Sequence, residues 1–489
     1  MIDFSSATAI REAVFKRKVT ALDMAAVAFD RIEKLDPKVR AFITLTQQTA
    51  LDKAAQVDAK ISRREKVGAL AGVPVAIKDN ICMRGTKTTC ASRILENFAS
   101  PYDAFVVKRL LDADAVIIGK TNLDEFAMGS SCENSAFFKT HNPWNLDYIP
   151  GGSSGGSAAC VASRMAPLSL GSDTGGSIRQ PAALCGIVGL KATYGRVSRY
   201  GLVAFGSSLD QIGPFATNVR DCALLLNVIA GKDPNDSTAA DVPVPDYTAG
   251  IDDGVKGIKL GVPKEYFVDD IAPDIVRTVR NSLEIYAKLG AELVDISLPH
   301  TAYANPTYYI VADAEASSNL ARYDGIHYGH RASNAKDLMD LYCKSRSEGF
   351  GPEVKRRILL GTYVLSAGYY DAYYLRALKV RTLIRRDFDE AFRKVDAIAC
   401  PTMPFPAFKF GERIDDPLQM YYCDILTTPT NLAGLPGISI PCGFTGDKMP
   451  VGLQLLGKPF DEGRILRVAR AFEAATDFAQ APPLAAERV

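Results

Sequence analysis

Histidine and tryptophan are scarce in this chain of 489 residues, which holds four His (His141, His300, His327, His330) and a single Trp, Trp144. So few histidines leave little material for a histidine-based catalytic centre. Charge of one sign is also missing: 57 Lys plus Arg stand against 56 Asp plus Glu, a formal net charge of +1. That balance supplies no global attraction to nucleic acid or to an anionic membrane, leaving only a local patch as a means of holding either. The ten cysteines, from Cys82 to Cys442, contain no C-x-x-C pair and no Cys/His grouping of zinc spacing, so no metal site is expected. No apolar stretch reaches the roughly 18 residues of a membrane span. Met1-Ile2-Asp3-Phe4 does not read as the start of a signal peptide. Reduced thiols in a cytoplasmic protein, with no membrane contact, are the expectation.

What is present suits a large α/β enzyme, with 47% apolar and 23% charged residues. Residues 1–65 read as helical: Thr20 and Asp23 form a capping box, and Leu22, Ala25, Phe29 and Ile32 recur at helical spacing until Pro37. Val73–Ile77 reads as a buried strand ending at Lys78. A helix near 103–112 and a second strand, Ala115–Ile118, stopped by Gly119, complete a βαβ unit. Alternation resumes with a strand at 258–262, a helix at 274–289 and a strand at 291–296. Residues 300–390 are rich in Tyr and mainly helical. Strands return at 396–400, 437–441 and 451–456 before a last helix over 461–476, and the tail from Ala481 reads as loose. Although the length suggests about three domains, strand-like segments at both ends can share one sheet. The expectation is a single domain over 1–489, with an N-terminal helical part (1–65), a catalytic core (66–230) and the helical section 300–390.

Three short motifs mislead. Gly119-Lys120-Thr121 ends like a phosphate-binding loop, but Asp114 stands where its first Gly must bring backbone amides onto phosphate. Asp173-Thr174-Gly175 resembles half of an aspartic protease dyad, yet no second such tripeptide occurs. Gly151-Gly152-Ser153-Ser154-Gly155 satisfies G-x-S-x-G, the α/β-hydrolase elbow, which needs a catalytic His later in the chain. None of His300, His327 and His330 lies in a Gly-rich, strand-ending context, and His141, near Trp144, reads as structural. A flexible linker is the bland alternative, but linkers do not run directly into an apolar helix such as Ala158–Ala162.

A second Gly/Ser element, Gly171–Pro181, follows the first. With Lys78 at a strand end, the two elements supply a nucleophilic site that needs no histidine. A serine hydroxyl needs a base, and a lysine serves only when uncharged, a state that desolvation at a buried strand end favours. A second serine can donate and accept at once, passing the proton between them. Successive small residues before Ser177 would let backbone N–H groups face a developing oxyanion.

From Gly151 to Ala182 the chain resembles the amidase-signature family, with Ser153 and Ser177 twenty-four positions apart. The resemblance implies an α/β fold with a large mixed sheet flanked by helices on both faces. It implies a Ser–cis-Ser–Lys site: Ser177 as nucleophile, Ser153 as bridge and Lys78, in Gly72–Asp79, as base. The oxyanion hole would come from the backbone amides of Thr174, Gly175, Gly176 and Ser177. Outside the signature, Met128–Phe137, Thr140–Trp144, Lys191–Leu202, Ser207–Pro214 and Glu348–Ile358 resemble one branch of that family, the glutaminase (A) subunits of tRNA-dependent amidotransferases. Cys132 stands where Thr is commoner in that branch, and Phe138-Lys139 replaces a usual Gly-Pro.

Such subunits imply hydrolysis of glutamine, with ammonia passing through an internal channel to a B subunit that amidates Glu-tRNA(Gln) or Asp-tRNA(Asn). ATP and Mg²⁺ would be used by that partner, misacylated tRNA would be held mainly there, and a small C subunit would strap the two together. Free glutamine carries an α-carboxylate and an α-ammonium, so its pocket should offer an Arg and an acid. The resemblance places Arg357 (or its neighbour Arg356) and Asp424 in those roles, with Tyr308 and Ser131 lining the pocket. The alternatives are a stand-alone amidase acting on another small amide, an inactive scaffold protein, and an esterase with a catalytic His.

Overall fold

The computed structural model describes residues 3–486; Met1 and Ile2 of the acidic start and residues 487–489 of the tail lie outside them. Helices Ala7–Phe15, Ala21–Val39 and Gln47–Ser62 open the chain. The Thr20 hydroxyl accepts the Asp23 N–H at 3.0 Å and the Asp23 carboxylate accepts the Thr20 N–H at 2.9 Å, a reciprocal cap contributing about 1 kcal/mol. This helix runs beyond Pro37 to Val39, and its buried stripe includes Met24, Ala25, Ala28, Ile32 and Leu35, while Leu22 faces out. The opening section is not wholly helical. A short strand, β1 (Phe42–Leu45), pairs antiparallel with β3 and escapes the sequence pattern because it is brief and half-exposed.

Strand β2 (Pro74–Lys78), helix Phe105–Asp112 and β3 (Val116–Thr121) form the expected parallel βαβ unit. Gly119 does not stop β3. A Cβ there would lie 2.7 Å from the Thr44 carbonyl oxygen and 2.9 Å from the Phe42 ring, so Gly119 admits the close approach of β1. Strands β4 (Leu168–Asp173), β5 (Val188–Lys191) and β6 (Gln211–Ala216) were not anticipated, because glycine in each, with serine in β4 and proline in β6, reads as loop. Strands β7 (Lys259–Pro263), β8 (Glu292–Ile296), β9 (Ala397–Pro401), β10 (Gly437–Phe444) and β11 (Pro450–Leu456) agree with expectation.

All eleven strands join one sheet in the order β1-β3-β2-β4-β6-β5-β10-β11-β9-β7-β8. The sheet is mixed: β2 is parallel to β3 and β4, β4 is antiparallel to β6, and β5 joins antiparallel β10 to bring the two halves of the chain together. Every residue of β2, β3, β4, β5, β6, β9 and β11 is buried, which requires helices over both faces. Residues 300–390 are mainly helical, with helices Ala304–Asn319, Leu338–Gly349, Pro352–Leu365 and Arg376–Ala391. The tail is not loose as far as it is described: Leu484 is buried, and the Ala485 carbonyl accepts Arg31 Nη2 at 3.3 Å.

Among the described residues no helix is long and apolar enough to cross a membrane. Lys120 is buried in an ion pair with Asp79 at 3.0 Å, and Asp114 holds Lys53 and Lys60, so neither end of the apparent phosphate loop can face a nucleotide.

Candidate active site

Parallel pairing of β2 with β4 brings their C-terminal ends side by side, which sets Lys78 against Ser172 and the loop 174–177. The Gly/Ser loop before helix Gly155–Ala162 enters at the same end, with a cis peptide between Gly152 and Ser153. Lys78 Nζ lies 2.7 Å from Ser153 Oγ, 2.8 Å from Ser154 Oγ and 2.9 Å from Ser172 Oγ, with the Ser172 carbonyl at 3.4 Å. No carboxylate is among these partners. Burial drives the amine down to about 7, against the weaker upward pull of Asp124, Cys132, Asp173 and Asp210. Hydroxyls can donate to a neutral amine or accept from a charged one, so this cluster accommodates both states. Ser154 and Ser172 were not singled out from the sequence, although both stand inside its two Gly/Ser elements.

Ser177 follows a tightly held loop. Its carbonyl accepts the Ser154 N–H at 3.3 Å, and its hydroxyl makes no hydrogen bond among the described residues. The Thr427 hydroxyl donates to the Gly175 carbonyl at 2.6 Å, and the Thr174 hydroxyl donates to Asp210 at 2.6 Å. Gly176 has φ +142° and a Cβ there would meet Thr427 Oγ1 at 2.3 Å, so only glycine fits. The N–H groups of Gly175, Gly176 and Ser177 donate to nothing among the described residues, leaving them free for an oxyanion. Asp173 is no protease acid: it forms a buried pair with Arg179 at 3.1 Å and also accepts from Asn431 at 2.8 Å. Burial pulls its carboxyl up, but Arg179, Lys191 and Asn431 more than offset this and hold it at about 2.

Beside the loop, Arg357 of helix Pro352–Leu365 is buried and donates from Nε to Glu353 at 2.8 Å. Its two terminal nitrogens donate to nothing among the described residues. Phe205, Tyr309 and Tyr421 surround the guanidinium with ring centroids 5.7, 5.1 and 5.3 Å away. Arg356 instead points outward to the other oxygen of Glu353, with its side chain 42% exposed. Asp424 accepts from Ser130 Oγ at 2.9 and 3.1 Å and from Tyr309 OH at 3.0 Å, and burial raises its carboxyl to about 6 despite these donors. The hydrogen bonds to Asp424 thus come from Ser130 and Tyr309, immediate neighbours of the expected Ser131 and Tyr308. Ser131 Oγ is buried without a hydrogen-bond partner among the described residues, and Tyr308 lies against Gly175, where a Cβ would stand 2.6 Å from its hydroxyl.

No histidine joins this site. His300 pairs with Asp387 at 2.8 Å, His327 with Asp324 at 2.7 Å and His330 with Glu348 at 2.6 Å, while His141 Nδ1 meets the Leu146 carbonyl at 2.5 Å. A cavity of about 510 Å³ lined by His300, Tyr303, Thr307, Ile310, Tyr373 and Val380 is larger than a small amide needs, but it carries no activated nucleophile.

A buried amine among serine hydroxyls, beside free backbone amides and on a mixed α/β sheet, is the equipment of an amidase that needs no histidine. The chain belongs to the amidase family, whose model matches residues 23–466. Within that family it is 60% identical to the A subunit of glutamyl-tRNA(Gln) amidotransferase from Carboxydothermus hydrogenoformans, over 98% of this chain and 99% of that one. The corresponding protein of Heliobacterium modesticaldum is 60% identical over 96% of each chain. Among solved structures, that of the Thermotoga maritima counterpart superposes with a TM-score of 0.82 at 45% identity, covering 99% of both chains. A bacterial aryl acylamidase superposes at 0.87 with 26% identity, covering 100% of this chain and 99% of that one.

Proposed function

We propose that this chain is the glutamine-hydrolysing component of a tRNA-dependent amidotransferase, with Lys78, Ser153 and Ser177 as its catalytic residues. The observation that carries the chemistry is the 2.7 Å contact between a fully buried Lys78 amine and the Ser153 hydroxyl, with no carboxylate bonded to the amine. Neutral Lys78 draws a proton from Ser153 as Ser153 takes one from Ser177. The Ser177 oxygen then attacks the side-chain carboxamide of glutamine. The amides of Gly175, Gly176 and Ser177, with Thr174 completing the loop, hold the oxyanion. The proton returns from Lys78 through Ser153 to the leaving nitrogen, ammonia departs, and water hydrolyses the glutamyl ester by the reverse relay.

Arg357 takes the α-carboxylate with its two unpaired terminal nitrogens, and Asp424 takes the α-ammonium. Ser131 and Tyr308 complete the pocket wall. Tyr309 links the two charged groups, since its ring lies under Arg357 and its hydroxyl reaches Asp424. An amidase acting alone on a simple amide would need neither charge, and the buried pair therefore favours glutamine over that alternative.

The ammonia passes to a B subunit that amidates Glu-tRNA(Gln), Asp-tRNA(Asn) or both with ATP and Mg²⁺, while a C subunit binds the two together. The near-neutral charge of this chain supports leaving tRNA to the partner. We place the complex in the cytoplasm and read residues 1–489 as one domain. The test is ammonia release from glutamine by the co-purified complex, with and without misacylated tRNA and ATP. Ser177→Ala is expected to abolish release; near-normal glutaminase in that variant sinks the assignment.

A further inference from the structure

One side chain joins the nucleophile loop, the bridging serine and the ammonium pocket. Gln180 is fully buried three residues after Ser177, and its own N–H closes on the Gly176 carbonyl at 2.8 Å. Its Oε1 accepts the Gly152 N–H at 2.8 Å, and its Nε2 donates to the Ser130 carbonyl at 2.7 Å. Gly152 immediately precedes Ser153, whose carbonyl is held from the other side by the Asp124 N–H at 3.1 Å. Ser130 in turn donates its hydroxyl to both oxygens of Asp424. A continuous path therefore runs from Asp424 through Ser130 and Gln180 to Gly152, one residue from the hydroxyl that touches Lys78.

A carboxamide suits this position at any pH, because the two contacts require an acceptor and a donor on one planar group. Glutamate would keep the acceptor but set a second oxygen against the Ser130 carbonyl. Methionine would supply neither. The backbone beside Gly152 also packs on the amide: a Cβ at Gly151 would stand 3.1 Å from Gln180 Oε1.

We propose that Gln180 is a positioning residue that couples engagement of the substrate's α-ammonium at Asp424 to the alignment of Ser153. This inference rests on the functional reading above. An arriving ammonium competes with the Ser130 hydroxyl for the lone pairs of Asp424. The resulting shift of Ser130 reaches Gly152 through the amide, so the proton relay is set when the correct substrate is in place.

A double-mutant cycle on steady-state glutamine hydrolysis by the co-purified complex tests this coupling. Ser130→Ala removes the hydroxyl but keeps the carbonyl that Gln180 holds. In the native background it is expected to lower kcat as well as raise KM. Gln180→Glu is expected to lower kcat by about 10- to 100-fold with a smaller change in KM. Added to Gln180→Glu, Ser130→Ala should then change KM alone, so the kcat effects are not additive. An equal kcat penalty for Ser130→Ala in both backgrounds overturns the coupling and leaves Gln180 as a structural support. Gln180→Met repeats the cycle without the added charge, and an unchanged circular dichroism spectrum and denaturant midpoint verify that each variant is folded. Activity in Ser177→Ala would bring down the functional reading itself. An inactive Ser177→Ala together with additive kcat effects would bring down the coupling alone.

Discussion

Two fully buried lysines sit on neighbouring strands one register step apart: Lys120 of β3 faces Ile77, and Lys78 of β2 faces Thr121. Their company differs. Lys120 Nζ lies 3.0 Å from Asp79 and donates to the Lys87 carbonyl at 3.0 Å and the Thr88 hydroxyl at 3.2 Å. Lys78 meets three serine hydroxyls and a carbonyl, with its neighbouring carboxylates beyond hydrogen-bond reach. A buried ammonium and a buried carboxylate in contact offset one another's burial, and breaking the pair exposes the cost of the remaining ion. An amine surrounded by dipoles lacks that compensation, so burial pushes it to about 7 and makes it a base at neutral pH. Burial alone therefore does not suit a lysine to the role proposed for Lys78; the chemical identity of its neighbours does.

Removing each amine separates the two regions most strongly. Lys78→Met should lower kcat for glutamine by about 10²- to 10⁴-fold without lowering the denaturant midpoint, because it removes an amine whose burial disfavours its charged form. Lys120→Met should strand Asp79 and cost about 3–5 kcal/mol of stability. Equal losses of stability in the two variants, or an active Lys78→Met, would erase the contrast.

Converting one region into the other gives a smaller effect. In the native chain, activity should rise with pH through about 7 as Lys78 loses its proton. Ser172→Asp places a carboxylate beside Lys78 as Asp79 stands beside Lys120, and should move that rise upward by about 1–3 pH units. Stability follows the same group. Its folded pKa of about 7 lies below the ordinary 10.5, so the unfolded chain binds more protons between those values. Stability should accordingly increase with pH across that window, and Lys78→Met should remove this contribution. An unmoved activity profile in Ser172→Asp would contradict the role of the neutral amine.

The adjacent arginines offer the smallest contrast. Arg357→Ala should raise KM for glutamine by about 10- to 100-fold through loss of charge-assisted hydrogen bonds. Arg356→Ala removes a half-exposed ion pair and should change KM by less than about fivefold. Equal shifts in the two variants would argue against a carboxylate contact at Arg357.

Much of the framework was legible because it is local. The Thr20–Asp23 cap and the β2–helix–β3 unit follow from patterns that a few consecutive residues carry, and the helical section 300–390 from its lack of strand-like runs. Strands β4, β5 and β6 were hidden because glycine in each, with serine in β4 and proline in β6, lowers strand propensity, while burial in the centre of a sheet overrides it. The candidate site was legible at Ser153 and Ser177 through two long Gly/Ser elements and at Lys78 through the end of an apolar strand. Ser154, Ser172 and Gln180 stood in those elements without a signal for their role. Thr427 had none at all, because its contact with Gly175 joins residues 252 positions apart.

The sequence by itself determined the α/β class, the amidase family and the supply of a lysine and paired serines in a chain with few histidines. These are written in periodicity and in contiguous motifs. Only the tertiary structure decided that Lys78 meets hydroxyls while Lys120 meets Asp79, and that Arg357 turns inward while Arg356 turns out. It also decided that Gln180 spans Gly152 and Ser130. The physical reason is that a side chain's proton affinity and hydrogen bonds depend on the neighbours folding brings to it, and those neighbours come from distant parts of the chain.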